Sequence, residues 1–384
     1  MKRKICVVVG SRANYSSIKS AMRAIQKHPA LELQLVVGAS AILDRYGAVV
    51  DLMRRDGFEP DAEIHMLIEG ETPTTMAKST GLGLIELSTI FARLAPDFVL
   101  TVGDRFETMA TTLAAAYMNI PIAHTMGGEV SGTIDESIRH AVTKFAHVHF
   151  PASKDAAERI IKLGEKPEDV HLVGCPRMDL VADILKAKDT IDASELFKDG
   201  VGAALDLSQP FILVSQHPVT TEFGEGERQI TSTLEAVART GLPAIVLWPN
   251  ADAGSDDIAR GVRKWREQGK DANMHFFKNL PIDVYVRLMR QTACLVGNSS
   301  SGIREGAFIG TPCVNIGSRQ TMRERGDNVI EVKNTVAEIE AAIRKQIAHG
   351  RYAMVPIYGD GTAGAQIADV LSTKTVQVQK RITY

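Results

Sequence analysis

The fold is decided by the stretch Ile5-Cys6-Val7-Val8-Val9-Gly10-Ser11-Arg12-Ala13-Asn14-Tyr15 near the start of the chain. Its first five residues are apolar and mostly β-branched, which predicts a strand that ends at Gly10. A helical pattern follows and covers Tyr15–Lys27. A continuous apolar strand, a glycine-containing loop and a helix are typical of a parallel sheet covered by helices on both faces.

The same alternation of strand and helix continues along the chain, with helices predicted at Thr74–Arg93, Phe106–Met118 and Lys154–Leu163. In the first half the predicted strands are Ile5–Gly10, Leu33–Gly38, Asp97–Val102, Ile120–His124, His147–Pro151 and Val170–Gly174. In the second half they are Phe211–Ser215, Ala244–Trp248, Met274–Phe277, Cys294–Gly297, Cys313–Ile316 and Val329–Val332. Two such sets predict an α/β protein of two Rossmann-like domains, with the break between Pro176 and Pro210.

Length and charge agree with this organisation and narrow the range of partners. A chain of 384 residues exceeds the size at which single cores stop growing, so two domains are expected. Lys and Arg number 44 and Asp and Glu 46, which leaves a net charge of -2. Without a long basic tract, nucleic acid and anionic membranes are not expected as main partners. A small anionic ligand needs only a local positive pocket.

The cysteines and the apolar runs indicate a soluble intracellular protein. Cys6, Cys175, Cys294 and Cys313 are far apart and have no metal-ligand spacing, so we expect buried reduced thiols and no metal site. The first apolar run is too short for a signal peptide. No run approaches the roughly 20 residues of a membrane-spanning helix. We therefore expect a cytoplasmic location.

Polar residues follow the carboxyl ends of the predicted strands, where doubly wound sheets bind their ligands. If the two domains face each other, these loops line one interdomain cleft. The loops are Gly10 to Tyr15, Gly103-Asp104-Arg105, His124 to Glu129, Ser215 to Pro218, Pro249 to Asp252 and Gly297 to Gly302.

The run from Gly127 to His140 is the densest of these groups in chemically active side chains. Its two glycines allow close approach of the backbone to a ligand, and Glu129, Asp135 and Arg139 follow. Two structural explanations compete with a cleft site: Thr133 and Glu136 match a capping box, and Asp135 and Arg139 are spaced to pair on a helix surface. Neither explains Glu129, so we interpret the run as part of a site.

The serine-rich loop from Gly297 to Gly302 is a candidate anion site. Small residues before a helix leave backbone N–H groups and hydroxyls available to a phosphate or diphosphate, and Ser299 and Ser300 are the candidate contacts. The alternative is an N-cap serine. Glu305 is placed to accept hydrogen bonds from a ribose, or is a solvated helix carboxylate. Arg319 supplies positive charge after the next strand.

The remaining candidates also follow strands. Arg12 and Arg105 offer the planar, permanently charged fork that suits phosphate and carboxylate, although either could pair with a nearby acid. Asp104 lies at a strand end, where the pKa of a buried carboxylate is tunable. His217 follows Phe211–Ser215 and is a candidate acid or base.

On these motifs the chain resembles the hydrolysing UDP-N-acetylglucosamine 2-epimerases, including those that act on UDP- or GDP-linked 2,4-diacetamido sugars in sialic-acid and legionaminic-acid pathways. The resemblance runs from Ile5 to about Ile367. It rests on Gly10 to Tyr15, Gly103 to Glu107, Gly127 to His140, Gln216-His217-Pro218, Gly297 to Ser300, Arg304-Glu305 and Tyr358 to Gly361. The Gly-Thr-Ile-Asp form ending at Asp135 looks like the hydrolysing branch.

The resemblance implies a GT-B-like fold with an N-terminal domain at 1–178, a C-terminal domain at 179–364 and a last segment at 365–384 that crosses back to the first domain. It implies loss of the nucleoside diphosphate from C1 as H2 is removed. Water then adds to the resulting 2-acetamidoglucal and gives the free 2-epimeric sugar. The resemblance also implies that no nicotinamide or metal is required, and that the protein is a homodimer or homotetramer.

By position, the resemblance assigns acid or base roles to Asp104, Asp135 and His217, and nucleotide contacts to Arg12, Ser299, Ser300 and Glu305. Because of where they lie in the sequence, we add Arg105 and Arg319 to the nucleotide contacts and Glu129 to the acid or base residues.

Two residues depart from the family pattern. Asn14 stands where many members have aspartate. Met126 stands where members of the sialic-acid pathway carry a catalytic glutamate, and a thioether transfers no proton. Glu129 or Asp135 takes over that role, or the substrate differs from UDP-N-acetylglucosamine.

Two other classes of function compete with the epimerase. A GT-B glycosyltransferase would use the same diphosphate site but would need an acceptor. A non-catalytic nucleotide-sugar sensor would fit Met126 but not the retained Asp104, Asp135 and His217.

Overall fold

The computed structural model describes residues 2–44, 47–69, 72–131, 134–187, 190–222, 224–249, 254–278 and 280–383. Its chain divides into two compact units. The first is built from 1–130, 134–180 and 358–384, and the second from 181–357 together with Ser131. The chain thus leaves the first unit after Leu180 and returns to it at Tyr358.

The first unit alternates strands and helices from its first residues onward. Its strands are β1 (Arg3–Val9), β2 (Leu31–Gly38), β3 (Ala62–Ile64), β4 (Phe98–Val102), β5 (Ile122–Thr125) and β6 (Val148–Phe150). Its helices are α1 (Arg12–Lys27), α2 (Val49–Arg55), α3 (Pro73–Leu94), α4 (Phe106–Tyr117), α5 (Ile134–Phe145) and α6 (Lys154–Lys162), with α7 (Pro176–Lys186) at the exit of the unit.

These six strands form one sheet in the order β3-β2-β1-β4-β5-β6. Every pair within it is parallel. The β1 and β4 strands are almost entirely buried, as expected for strands covered by helices on both faces.

The second unit repeats the scheme after a short helix and an edge strand. Its strands are β7 (Val201–Gly202), β8 (Ile212–Ser215), β9 (Ala244–Leu247), β10 (Met274–Phe277), β11 (Cys294–Gly297), β12 (Cys313–Ile316) and β13 (Val329–Val332). Its helices are α8 (Ala193–Leu196), α9 (Gly226–Arg239), α10 (Ser255–Glu267), α11 (Ile282–Gln291), α12 (Arg304–Ile309) and α13 (Val336–His349).

The seven strands pair in the order β13-β12-β11-β8-β9-β10-β7. Only the contact between β10 and β7 is antiparallel. Without β7, the order is that of the first sheet, because β8, β9 and β10 lie on one side of the switch and β11, β12 and β13 on the other. The two units therefore share the doubly wound strand order, in which strands are added first on one side of the first strand and then on the other.

The strands predicted from the sequence are present with one exception. The segment Val170–Gly174 is not a strand, because it forms only an isolated bridge between Val170 and His149. The chain turns away at Gly174, whose φ is +87°. The prediction missed the short strands β3 and β7 and helix α2. The first helix was also predicted to start too late. Helix α1 begins at Arg12, where the Ser11 hydroxyl caps it by accepting a hydrogen bond from the Asn14 N–H.

No helix in the described part of the chain is long and apolar enough to cross a membrane.

The last helix, α14 (Ala363–Thr373), belongs to the first unit and packs on α1. A Cβ at Gly364 would lie 2.7 Å from the backbone of Ser20, so the two helices touch through a glycine. The α14 N-terminus is capped from a distant part of the chain. The Asp179 carboxylate accepts from the N–H groups of Ala363 at 3.0 Å and Gly364 at 2.7 Å.

Because both carboxylate oxygens of Asp179 satisfy N–H groups that the helix itself leaves unpaired, their removal should destabilise the first unit. We expect Asp179→Ala to lower the free energy of unfolding by about 1–3 kcal/mol in urea titrations. The matched control is Asp183→Ala on the same helix, where the side chain is 75% exposed and a change within about 0.5 kcal/mol is expected. Equal effects of the two variants would show that the Asp179 cap has no special role.

Candidate active site

Each sheet has one point where its strand order reverses, between β1 and β4 in the first unit and between β8 and β11 in the second. Ligands of doubly wound sheets bind outside the carboxyl ends of the strands at this point. The loops there begin at Gly10 and Gly103 in the first unit, and at Gln216 and Asn298 in the second. Most of the site residues predicted from the sequence follow these four strands.

Arg139 organises the candidate site of the first unit. It lies on the buried face of α5 and is only 2% exposed. Its guanidinium donates to the Asp104 carboxylate, in the loop after β4, and to the Glu129 carbonyl oxygen at 2.6 Å, in the loop after β5. A buried cation needs a paired anion, so the two loops are held against α5 by one side chain.

Of the acidic residues predicted from the sequence, Arg139 holds Asp104 by its carboxylate and Glu129 by its backbone carbonyl. Asp104 forms an ion pair with Arg139 and keeps 25% of its side chain exposed, so it remains accessible to a ligand. Glu129 is 6% exposed. Asp135 stands one helical turn before Arg139 and therefore projects from the same face of α5. Glu136 lies 3.7 Å from the His140 ring, and Thr133, its proposed capping partner, is outside the described residues.

The Gly-Gly turn before Glu129 fits tightly against its surroundings. Gly128 has a φ of +77°, and a Cβ there would lie 2.2 Å from the Ala156 carbonyl oxygen. Met126 precedes the turn with a φ of +59° and is 9% exposed. Its sulfur lies 3.6 Å from the Cys175 thiol. Met126 is thus buried beside the sulfur of Cys175. Its thioether has no proton to give.

His124 fixes the loop that carries Asp104. Its Nε2 lies 2.7 Å from the Gly103 carbonyl oxygen, so this nitrogen carries the hydrogen. The ring is fully buried. Burial, and to a smaller extent the charge on Arg139, lowers the pKa of His124 to about 3. The imidazole is therefore neutral near pH 7 and holds Gly103 as a plain hydrogen-bond donor.

The two predicted arginines of the first unit lie at its switch point. Arg12 is exposed in the first turn of α1, directly after the β1 loop. Arg105 is the N-cap residue of α4 and is 45% exposed, with its Nε 3.2 Å from a carboxylate oxygen of the buried Glu107. Both side chains are exposed to solvent at the carboxyl ends of the central strands.

Asn298 plays the organising part in the second unit. Its amide accepts from the His217 N–H at 2.7 Å and donates to the His217 carbonyl at 2.8 Å. Its own carbonyl accepts from the Arg319 guanidinium at 3.2 Å and from the Gln320 amide at 2.9 Å. The loops after β8, β11 and β12 therefore converge on one asparagine, which brings His217 and Arg319 together.

His217 is 7% exposed, and its Nε2 lies 3.5 Å from the Ser215 hydroxyl. Burial, with a contribution from the charge on Arg319, lowers the pKa of His217 to about 3. At pH 7 its ring is a neutral imidazole. One of its nitrogens can donate a hydrogen bond and the other can accept one, while the ring carries no charge.

The serine loop is wound more tightly than the start of an α-helix, which is what the sequence predicts there. A turn of 3-10 helix at Ser300–Gly302 precedes α12. The Ser301 hydroxyl is internal, 2.6 Å from the Tyr285 hydroxyl and 2.9 Å from the Ser299 hydroxyl. Ser299 and Ser300 are half-buried at the surface of the loop. Their hydroxyls and N–H groups can serve an anion, and the internal contacts of Ser301 fix the loop.

Glu305 is not a solvated helix carboxylate, because it is only 2% exposed. Within the stretches that the structure describes, no three His, Cys, Asp or Glu side chains are arranged to hold a metal ion. The predicted polar loop from Asn250 to Asp252 lies outside the described residues. Arg139, His124 and Asn298 lie in motifs that stand out in the sequence, but their contacts join segments that are distant in sequence, so no local pattern predicts them.

Comparison with known proteins places the chain in a family. The family model for UDP-N-acetylglucosamine 2-epimerase matches residues 23–372. A UDP-N,N'-diacetylbacillosamine 2-epimerase (hydrolyzing) of Legionella pneumophila is 32% identical over 373 residues, 97% of this chain and 96% of the relative. A UDP-N-acetylglucosamine 2-epimerase of Neisseria meningitidis is 29% identical over 387 residues, 99% of this chain and 98% of the relative. The chain belongs to the UDP-N-acetylglucosamine 2-epimerase family.

A solved structure shows the same fold. The UDP-GlcNAc 2-epimerase of Neisseria meningitidis, bound to UDP-GlcNAc, matches with a TM-score of 0.80 at 17% identity, over 96% of this chain and 99% of that one. The GT-B-like α/β class predicted from the sequence is confirmed.

The two neutral histidines predict an acid-sensitive fold. Folded pKa values near 3 for His124 and His217 lie below the ordinary value of 6.5, so the unfolded chain binds more protons between these limits. Stability should therefore be complete above about pH 6.5 and fall as the pH drops toward about 3. In urea titrations, His217→Gln should reduce the proton uptake on unfolding by about one.

The same claim can be read directly from ring nitrogen chemical shifts. Both rings should keep the shifts of neutral imidazole down to about pH 4. Titration of either ring near its ordinary pKa would contradict the buried environment described for it.

Proposed function

We propose that this member of the family is a hydrolysing nucleotide-sugar 2-epimerase. It converts UDP-N-acetylglucosamine and water to N-acetylmannosamine and UDP, in nonulosonic (sialic or legionaminic) acid biosynthesis. The same reaction on UDP- or GDP-linked N,N'-diacetylbacillosamine is the alternative substrate assignment, which the 32%-identical Legionella relative favours by its name. The observation that supports the proposal most is the Asp104 carboxylate held at the end of the first sheet by the buried Arg139, whose guanidinium also binds the Glu129 backbone.

The reaction needs two proton transfers on the sugar. In the first half, a base takes H2 as the C1–O bond to the diphosphate breaks, which leaves a 2-acetamidoglucal. In the second half, water adds at C1 and a proton returns to C2 on the opposite face. Asp104 and Asp135 are the proposed acid and base, since carboxylates in different environments titrate apart and divide such roles. Arg139 keeps Asp104 in one orientation.

The second unit supplies what the leaving group needs. Negative charge grows on the diphosphate oxygen as the C1–O bond breaks, and fixed donors that meet this charge lower the barrier. Ser299, Ser300 and Arg319 are the proposed donors, with Arg12 and Arg105 from the first unit. Glu305 is proposed to accept from the ribose hydroxyls. The neutral His217 is proposed to exchange a proton or hydrogen bond with the substrate.

Met126 defines what is unusual about this proposed enzyme. Its thioether is buried beside Cys175 and cannot replace a catalytic glutamate. Glu129 follows in the same tight turn, and Asp135 opens the next helix. One of these two carboxylates is proposed to take over the missing proton transfer.

The test is an NMR time course of purified protein with UDP-N-acetylglucosamine and with UDP- and GDP-linked N,N'-diacetylbacillosamine, each with and without added sugar acceptors. We expect free manno-configured sugar and nucleoside diphosphate in equal amounts from one of these substrates. Sugar transfer that appears only when acceptor is present would identify a glycosyltransferase instead. Binding without turnover of any substrate would overturn the epimerase proposal.

Separate variants should then assign the carboxylates. A residue that transfers a proton should lower kcat by roughly 10²- to 10⁴-fold when its carboxylate becomes an amide. Asp104→Asn is expected to show this loss. Of Glu129→Gln and Asp135→Asn, the one that replaces the family glutamate should lose its activity and regain part of it when Met126→Glu is added. The matched control is Glu136→Gln, which pairs with His140 on the helix surface and should keep kcat within about twofold.

A further inference from the structure

Glu107 is a buried acid that the proposed reaction has not used. It lies in the first turn of α4, where a carboxylate suits the helix dipole and normally faces solvent. Here it is only 4% exposed. Helix capping therefore does not explain its position, since an exposed side chain would serve the dipole as well.

The Glu107 side chain passes directly over Gly10, at the end of β1. A Cβ built on Gly10 would lie 2.4 Å from the Glu107 Cγ, which no real side chain tolerates. Glycine at position 10 is what allows the carboxylate to reach the switch point between β1 and β4. The Glu107 stem thus interlocks the loop that leads to Arg12 with the start of α4.

The Glu107 carboxylate ends against Arg105. The distance from its Oε1 to the Arg105 Nε is 3.2 Å, with 5% of the Glu107 side chain exposed and 45% of the Arg105 side chain. The buried partner is fixed by packing, so the exposed partner is the one whose conformation the pair restricts. A charged arginine held in one orientation binds an anion at a lower entropic cost than a mobile one.

Glu107 also lines a small cavity of about 10 Å³, together with Val8, Thr101, Val102, Thr108 and Thr111. The three threonine hydroxyls donate to the carbonyls of Ala123, Val102 and Glu107 itself. Their hydroxyl hydrogens are therefore committed to these carbonyls. Within the described residues, the buried Glu107 Oε2 has no hydrogen-bond partner, so Glu107→Gln breaks no hydrogen bond at that atom.

We propose that Glu107 is a positioning residue for nucleotide-sugar binding that acts through Arg105, by holding its guanidinium toward the diphosphate. This inference rests on the proposed function. It assigns Glu107 a role separate from the proton transfers of the neighbouring Asp104.

The test is a double-mutant cycle on Arg105 and Glu107, read by the calorimetric affinity for UDP and by KM. Glu107→Gln keeps the shape of the side chain and breaks no hydrogen bond at Oε2, so we expect an unchanged Tm and a roughly 3- to 10-fold weaker affinity for UDP. Arg105→Met should weaken affinity at least as much. The double variant should be no weaker than Arg105→Met alone, and any loss of kcat in Glu107→Gln should likewise disappear in the Arg105→Met background.

A purely structural role for Glu107 would make the two losses add, and would lower Tm rather than affinity. Either result overturns the proposal, as does an Arg105→Met protein with unchanged affinity. The matched control is Asp51→Asn, a first-turn acid of α2 whose side chain is 62% exposed and which should not change UDP affinity. If Glu107→Gln does not fold, Glu107→Met takes its place in the cycle.

UDP affinity separates this inference from the proposed function. Non-additive losses in a protein that binds UDP but turns over no nucleotide sugar would support Glu107 and reject the epimerase. Normal turnover with additive losses would do the reverse. A wild-type protein that binds neither UDP nor GDP would overturn both.

Discussion

The buried charge on Arg139 is the constraint on which the first unit's site depends. A guanidinium at 2% exposure is stable only with its donors satisfied, because an unpaired buried charge costs several kcal/mol. Asp104 and the Glu129 carbonyl supply that pairing from two different strand-end loops. The same contacts that stabilise the fold thus fix the positions of the Asp104 carboxylate and the Glu129 backbone. Asn298 achieves the equivalent result in the second unit with neutral hydrogen bonds to His217.

The two units apply one topology to different chemistry. Both sheets reverse their strand order once, and both place polar residues after the two central strands. Carboxylates and arginines dominate the first set of loops, while serines, an asparagine and a neutral histidine dominate the second. Proton transfer needs carboxylates, and fixed hydrogen-bond donors such as serine hydroxyls compensate charge on a diphosphate. The division of labour in the proposed reaction follows this division of residue types.

Much of the fold could be predicted from the sequence, because buried parallel strands are continuous apolar runs. Val170–Gly174 looked like such a run, but β6 is only three residues long and offers it a single bridge. The strands β3 and β7 were too short to give a pattern, and β7 pairs antiparallel at the edge of its sheet. Short edge strands depend on their tertiary partners more than on their own residues.

The candidate site divides in the same way. Asp104, His217 and the serine loop could be found because they directly follow strands. Arg139, Asn298 and Glu107 stood in the quoted motifs, yet their functions depend on contacts between distant segments that no local pattern records. The burial of Glu305 likewise rules out the solvated helix carboxylate that its position on a helix left open.

The most direct test of this account is deuterium incorporation at C2 of the product in heavy water, compared between wild type and Arg139→Met. Removal and return of the C2 proton in heavy water, by carboxylates that Arg139 orients, should leave one deuterium at C2 of the wild-type product. The folded Arg139→Met protein should then form product at least about 100-fold more slowly while it still binds UDP. An Arg139→Met protein with wild-type turnover, or a wild-type product without deuterium at C2, would contradict the account.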